Sequence, residues 1–154
     1  MARKNGMTQL AMVSVFVKDQ DEALAFYTEK LGLEKRADVT YGPGLRFVSV
    51  APRGQHKPEI ALAKPDETLH SVERIQEIMA RIGRRVHYMF DTDDCQSMYE
   101  MLCERGVKFV SQPTRQLYGV EAIFEDLDGN MFSLLEPSPE AHSLLKERRV
   151  GTAA

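Results

Sequence analysis

Apolar and polar residues along this chain alternate with two periods. Residues 10–17 place Val13, Val15 and Val17 on one side and Met12, Ser14 and Phe16 on the other, which predicts a strand. Asp19 then caps a helix, with Glu22 as its capping-box partner. Ala23, Phe26, Tyr27 and Leu31 recur at helical spacing, and Gly32 ends the run. Residues 45–51 and 59–64 read as strands joined by a turn at Arg53 and Gly54. A helix is expected over 66–82, with Leu69, Val72, Ile75, Met79 and Ile82 as its apolar stripe. That stripe suits a linker lying outside a sheet, and partner docking is its competing role. Residues 86–91 predict a strand, and 95–105 a helix with Cys95, Met98, Tyr99 and Leu102 on one face. After a loop carrying Pro113, strands follow at 120–125 and 131–136, with short extra strands near 33–39 and 107–110. The C-terminal stretch is expected to open with a short helix and end in a mobile tail.

The order of elements repeats. At an offset of 75 residues Asp19 lies over Asp94, and Tyr27 over Leu102. Gly32 meets Gly106 at 74, because the second helix lacks one residue. Offset 75 is expected to return at Gly44 over Gly119, which makes Arg46 and Glu121 equivalent. The first hairpin turn is then three residues longer, and Glu59 lies over Met131 at offset 72. The reading is an α+β chain of two tandem βαβββ modules, forming curved sheets around a cleft with helices outside. Its divisions are a tail at 1–9, a module at 10–65, a linker helix at 66–84, a module at 85–137 and a tail at 138–154.

Composition narrows the function classes. A chain of 154 residues with a net charge of −3 lacks the basic stripe of a nucleic-acid binder. There is no apolar run long enough for a membrane span and no secretory signal pattern, so a cytoplasmic protein is expected. Cys95 and Cys103 are eight positions apart, too far to bridge along one helix. Asp126-Leu-Asp-Gly-Asn130 resembles a calcium loop only briefly, since Met131 and Pro137 occupy the positions that need glycine and a carboxylate. It reads as a hairpin turn.

Val13-Ser-Val-Phe-Val-Lys-Asp19, Ala25-Phe-Tyr27 and Leu31-Gly32 resemble the opening of vicinal-oxygen-chelate proteins, the superfamily of glyoxalase I, bleomycin-resistance proteins and extradiol dioxygenases. Thr92-Asp-Asp94, Gly106-Val-Lys-Phe109, Tyr118-Gly119 and Phe124-Glu-Asp-Leu-Asp-Gly-Asn130 resemble its second module. The resemblance implies four inward ligand positions, carried here by Met12, Ala61, His87 and Ser133. Of these only His87 is a good ligand, so a standard metal site is not expected. A divalent metal would need a non-standard site using His87, Glu59 and Glu121.

Strand alternation puts Met12, Ser14, Phe16, Glu59, Ala61, Ala63, His87, Met89, Asp91, Met131, Ser133 and Leu135 on the inner faces. This mostly apolar lining suits a small organic molecule. His87 can orient a ligand or act as a general base, and its competing role is a structural histidine satisfied by Asp91 or Ser133. His56, His70 and His142 are expected in solvent. Arg46 and Glu121 either pair with each other or face solvent separately. Tyr118 offers apolar area with a polar tip at the cleft mouth, or packs its own loop. Three functions compete: a binder of the bleomycin-resistance kind without cofactor, a lyase, isomerase or dioxygenase with an altered site at His87, and a non-catalytic regulatory or interaction protein. The resemblance also implies a homodimer.

Overall fold

The computed structural model describes residues 6–66, 70–82 and 87–140, without the side chains of Tyr41 and His87. Leu69, Val86, His142 and most of the expected C-terminal helix lie outside the described residues. The chain divides into two compact units, with the boundary between Ile82 and Gly83.

The first unit runs β1 (Met12–Phe16), α1 (Gln20–Ala25) continued by a π-helical turn (Phe26–Lys30), β2 (Glu34–Tyr41), β3 (Leu45–Ala51), β4 (Glu59–Ala63) and α2 (Val72–Arg81). The second runs β5 (His87–Asp91), α3 (Cys95–Glu104), β6 (Lys108–Gln116), β7 (Gly119–Glu125) and β8 (Met131–Pro137). The sheets have orders β1-β4-β3-β2 and β5-β8-β7-β6. In each, the first and last strands pair in parallel and the other pairs are antiparallel. Each unit is therefore a βαβββ module.

Equivalent helices start the same way. Asp19 Oδ1 accepts from the Glu22 amide at 2.9 Å, and Asp94 Oδ1 from the Ser97 amide at 3.0 Å. These bonds satisfy donors that a helix start leaves open. Their ends differ by one residue. The Val107 amide reaches back to the Leu102 carbonyl, whereas the Leu33 amide reaches the Tyr27 carbonyl one position further away. The Leu31 amide also bonds to the Phe26 carbonyl, the i→i−5 spacing of a π turn. The residue missing from the second helix is thus an extra one in the first, absorbed by widening a single turn. Gly32 and Gly106 then both take positive φ, 76° and 88°.

Strand register corrects the repeat further along. Glu34 pairs with Ala51 as Lys108 pairs with Glu125, and Ser49 pairs with Ala61 as Ile123 pairs with Ser133. The offset therefore stays at 74 through β3 and β7, and the first hairpin is longer by two residues. Arg46 is the counterpart of Val120, and Glu121 that of Phe47. The superposed glycines Gly44 and Gly119 misled the expectation, because Gly44 lies in the turn before its strand while Gly119 opens its own.

Three other expectations change. Pro113, expected in a loop, lies inside β6, at a register shift between Ser111 and Thr114. An edge strand at an irregularity tolerates the missing amide. Helix α2 starts only at Val72, capped by Ser71, whose hydroxyl accepts from the Arg74 amide at 3.2 Å. Its buried residue is Ile78 at 4% exposure, while Val72 and Met79 are 65% and 44% exposed. The apolar arc is wider than its covered part, so helical spacing alone picked the wrong edge. The Asp126–Asn130 turn is a longer loop in which only Gly129 has positive φ. Asp126 Oδ1 accepts from the amides of Asp128 and Asn130, and Oδ2 from Asn130 Nδ2 at 2.9 Å.

One side of each sheet forms the core. In the first unit it comprises Val15, Val48, Val50, Ile60 and Leu62, buried along with the helix residues Ala23, Phe26 and Tyr27. In the second it is aromatic: Phe124 lies 5.5 Å from Phe132 and from Phe109, and Phe90 lies 5.5 Å from Phe132. The opposite side of each sheet carries the functional candidates.

Candidate functional site

Because strand residues alternate sides, the register fixes which candidates share a face. In the first unit Met12 pairs with Glu59, Ser14 with Ala61 and Phe16 with Ala63. The middle row continues from Ala61 to Ser49 and on to Ala37. The face is thus a floor of small residues between bulkier ends, Met12 and Glu59 on one side and Phe16 and Phe47 on the other. Ser14 is exposed, and Met12, Phe16 and Glu59 are half-buried.

Ser49 is fully buried, and its hydroxyl donates to Glu59 Oε1 at 2.6 Å. It holds the carboxylate on the face, a role the sequence reading did not assign. Strand alternation places Ser49 on the same face as Phe47 and Ala51 but does not reveal its bond to Glu59.

In the second unit three rows cross the sheet: Asp91, Leu135, Glu121 and Thr114; Met89, Ser133, Ile123 and Ser111; and His87, Met131, Glu125 and Lys108. Met89 and Asp91 are exposed and Ser133 is buried. Glu121 joins this face through Leu135, and Tyr118 joins it by donating its hydroxyl to Glu121 Oε1 at 2.5 Å. That bond, with the Glu121 charge behind it, pushes the Tyr118 phenol above its usual pKa. The bond stays inside the hairpin of β6 and β7, and the Tyr118 side chain is 43% exposed. For His87 the described residues give the strand position, opposite Met131, and no side chain.

The four positions implied for metal ligands occupy matching places in the two units. Met12 and Ala61 lie diagonally on paired parallel strands, and His87 and Ser133 do the same. The residue types do not fit a metal: a thioether and a methyl group in the first unit, an imidazole and a hydroxyl in the second. Among the described residues no group of three His, Cys, Asp or Glu side chains comes together to hold an ion.

Arg46 does not stand alone in solvent. It takes Asp38 in a two-point grip, Nε to Oδ1 and Nη2 to Oδ2, each 2.9 Å, and reaches Asp21 Oδ1 at 2.8 Å. The grip holds the Asp38 carboxyl below its usual range. His56 is exposed as expected, but His70 is half-buried. Cys95 is buried and Cys103 exposed, and both are free thiols. Burial pushes the Cys95 thiol up, away from the reactive thiolate.

A polar cavity of about 460 Å³ lies elsewhere in the first unit, lined by Gln20, Leu45, Arg46, Lys64 and Asp66 among others. Strands β7 and β8 pair from Glu125 and Met131 through to Gly119 and Pro137, but β3 and β4 pair only at Ser49–Ala61 and Val50–Ile60. Gln20 fills the gap, its Nε2 donating to the Leu62 carbonyl at 2.9 Å and the Arg46 carbonyl at 3.2 Å. The equivalent residue is the shorter Cys95, whose Sγ lies 3.6 Å from the matching Leu134 carbonyl. The long amide acts as a wedge, and the cavity opens beside it.

No helix among the described residues is long and apolar enough to cross a membrane. The sequence matches the Glyoxalase/Bleomycin resistance protein/Dioxygenase superfamily over residues 9–134. It is 36% identical over 128 residues to an uncharacterized protein of Bacillus subtilis (strain 168), YurT, covering 83% of this chain and 98% of that one. Among solved structures it is similar to UcmS2, at 35% identity and a TM-score of 0.79, covering 85% of this chain and 99% of that one. It is also similar to TnmS3, an antibiotic binding protein from Streptomyces sp. CB03234, at 30% identity and a TM-score of 0.69, covering 86% and 98% of the two chains. With two βαβββ modules and this match over most of its length, the chain belongs to the glyoxalase/bleomycin resistance protein/dioxygenase superfamily.

Proposed function

We propose that this protein binds a small organic molecule on the open faces of its sheets, without a standard metal site and without a cofactor. The observation that carries the reading is the donor set at the four family positions, where Met12, Ala61 and Ser133 leave His87 as the one strong ligand. A metal-dependent lyase or dioxygenase needs three or four. What remains is an apolar surface with a few fixed polar points, suited to holding an organic ligand. The likeness to an antibiotic binding protein supports the same reading.

Met12, Ser14, Phe16, Glu59 and Ala61 form the contact surface in the first unit. Met89, Asp91, Glu121 and Ser133 form it in the second, with His87 at its strand end and Tyr118 at its border. His87 orients the ligand in this reading. We further propose a cytoplasmic homodimer with neither nucleic acid nor membrane as partner, which light scattering and co-purification test.

The experiment is a thermal-shift screen of aromatic antibiotics and metabolites, in chelator, on the wild type and on Ser14→Trp. Ser14 is exposed on the small-residue floor, so an indole there fills the proposed surface without entering the core. A ligand at one hundred times its dissociation constant stabilises the fold by about 2.7 kcal/mol. Shifts present in wild type and lost in Ser14→Trp are expected. Stoichiometric zinc, nickel or iron, lost on His87→Ala, would overturn the metal-free reading.

A further inference from the structure

The open faces carry an unbalanced charge. On the first, Glu34 is paired with Arg36 at 2.9 Å, while Glu59 meets only the neutral hydroxyl of Ser49. On the second, Glu125 is paired with Lys108 at 3.1 Å, while Glu121 meets only the phenol of Tyr118. Asp91 lies in the same row as Glu121, on the other side of Leu135. Among the described residues, none of Glu59, Asp91 and Glu121 has an ion-pair partner.

Two of these carboxylates are fixed in place. Ser49 and Tyr118 each donate to one oxygen, at 2.6 and 2.5 Å, which orients the group and leaves the other oxygen free. Their neighbours are mostly apolar: Met12 and Ala61 beside Glu59, and Leu135 and Ile123 beside Glu121, with Thr114 across from it on β6. A ligand that covers these faces strips water from the carboxylates. A neutral molecule offers a hydrogen bond at most and an anion adds repulsion, so stripping the unpaired charge stays costly. A cation replaces the lost water with an ion pair in a medium of reduced dielectric.

We propose that each open face selects an aromatic or aliphatic organic cation, with Glu59 as the specificity-determining counter-ion on the face of the first unit and Glu121 on that of the second. This rests on the open faces being the binding surface, and adds the class of molecule they select. The apolar neighbours hold the body of the ligand, and the pre-oriented carboxylates hold its charge.

The test compares two aromatic dyes of similar size by fluorescence titration in low salt: thioflavin T, a cation, and N-phenyl-1-naphthylamine, which is neutral. Thioflavin T is expected to bind about tenfold more tightly, with an affinity that falls as salt rises. Glu59→Gln combined with Glu121→Gln keeps both shapes and removes both charges. It is expected to weaken thioflavin T about tenfold and to leave the neutral dye within about twofold. Ser14→Trp is expected to weaken both dyes. Equal binding of the two dyes, or thioflavin T binding untouched by the double substitution, overturns the charge selection. If the neutral dye is still displaced by Ser14→Trp in that case, the open-face reading stands. If neither dye responds to Ser14→Trp, that reading falls too.

Discussion

Gln20 bridges two strands that would otherwise pair with each other, so its removal has a calculable effect. The side chain gives one hydrogen bond to the Leu62 carbonyl at 2.9 Å and one to the Arg46 carbonyl at 3.2 Å. Gln20→Ala leaves both acceptors without their donor. A fully buried orphan costs about 1–3 kcal/mol. Arg46 lines an open cavity of about 460 Å³, so water recovers part of that at its carbonyl, and alanine gains a few tenths in helix propensity. The net loss is about 1 kcal/mol. Gln20→Glu has the same shape but aims a carboxylate at two carbonyl oxygens. It is expected to lose about 2 kcal/mol at neutral pH, even after a favourable charge at the helix start returns about 0.5 kcal/mol. The carbonyls raise the folded-state pKa of this glutamate above its unfolded value of about 4.3. Its penalty is therefore absent below the unfolded pKa and grows as pH rises through the folded one. Urea unfolding at several pH values measures both. An unchanged midpoint for Gln20→Ala, or a Gln20→Glu deficit that does not shrink in acid, would refute the wedge.

Three further outcomes are expected. Asp126→Ala removes three hydrogen bonds from a carboxylate that is 4% exposed, at the turn between β7 and β8, and should lose about 3 kcal/mol in the same assay. The Asp94 carboxyl is held below its usual range, first by the Ser97 amide and then by the Ser97 hydroxyl. Its contribution is complete above the unfolded pKa of about 3.9 and lost as pH falls through the lower folded value, so Asp94→Asn should flatten the acid limb of a stability–pH curve. Deleting Thr28 from the π turn should convert it to the regular α geometry of α3, while deleting Glu100 from α3 should not be tolerated. Circular dichroism melting compares the two, and equal damage would show that the π turn does not absorb an insertion.

Much of this fold can be read from the sequence because its signals are local. The alternation of Val13, Val15 and Val17 with Met12, Ser14 and Phe16 assigned β1 and both of its faces. Asp19 and Asp94 marked helix starts that depend on one side-chain bond each. The repeat was legible through those caps and through the glycines at the helix ends. Its register on β3 and β7 was not, because a one-residue slip leaves composition unchanged while moving every side chain to the other face. That slip matched Arg46 with Glu121, although Arg46 belongs to the helix side with Asp21. Ser49 and Gln20 escaped notice for a different reason. Ser49 acts through a bond to Glu59 ten residues on, and Gln20 through bonds to Arg46 and Leu62, twenty-six and forty-two residues on. No local pattern records such a bond.

Binding of an organic molecule to the open sheet faces, as proposed, needs no metal. Amide chemical-shift mapping of the isotope-labelled protein in chelator, titrated with thioflavin T, reads this residue by residue. Saturable shifts are expected on Met12, Ser14, Glu59 and Ala61 and on Met89, Asp91, Glu121 and Ser133. Shifts gathered around Gln20, Arg46 and Lys64 instead, or no saturable shift until a divalent metal is added, would contradict it.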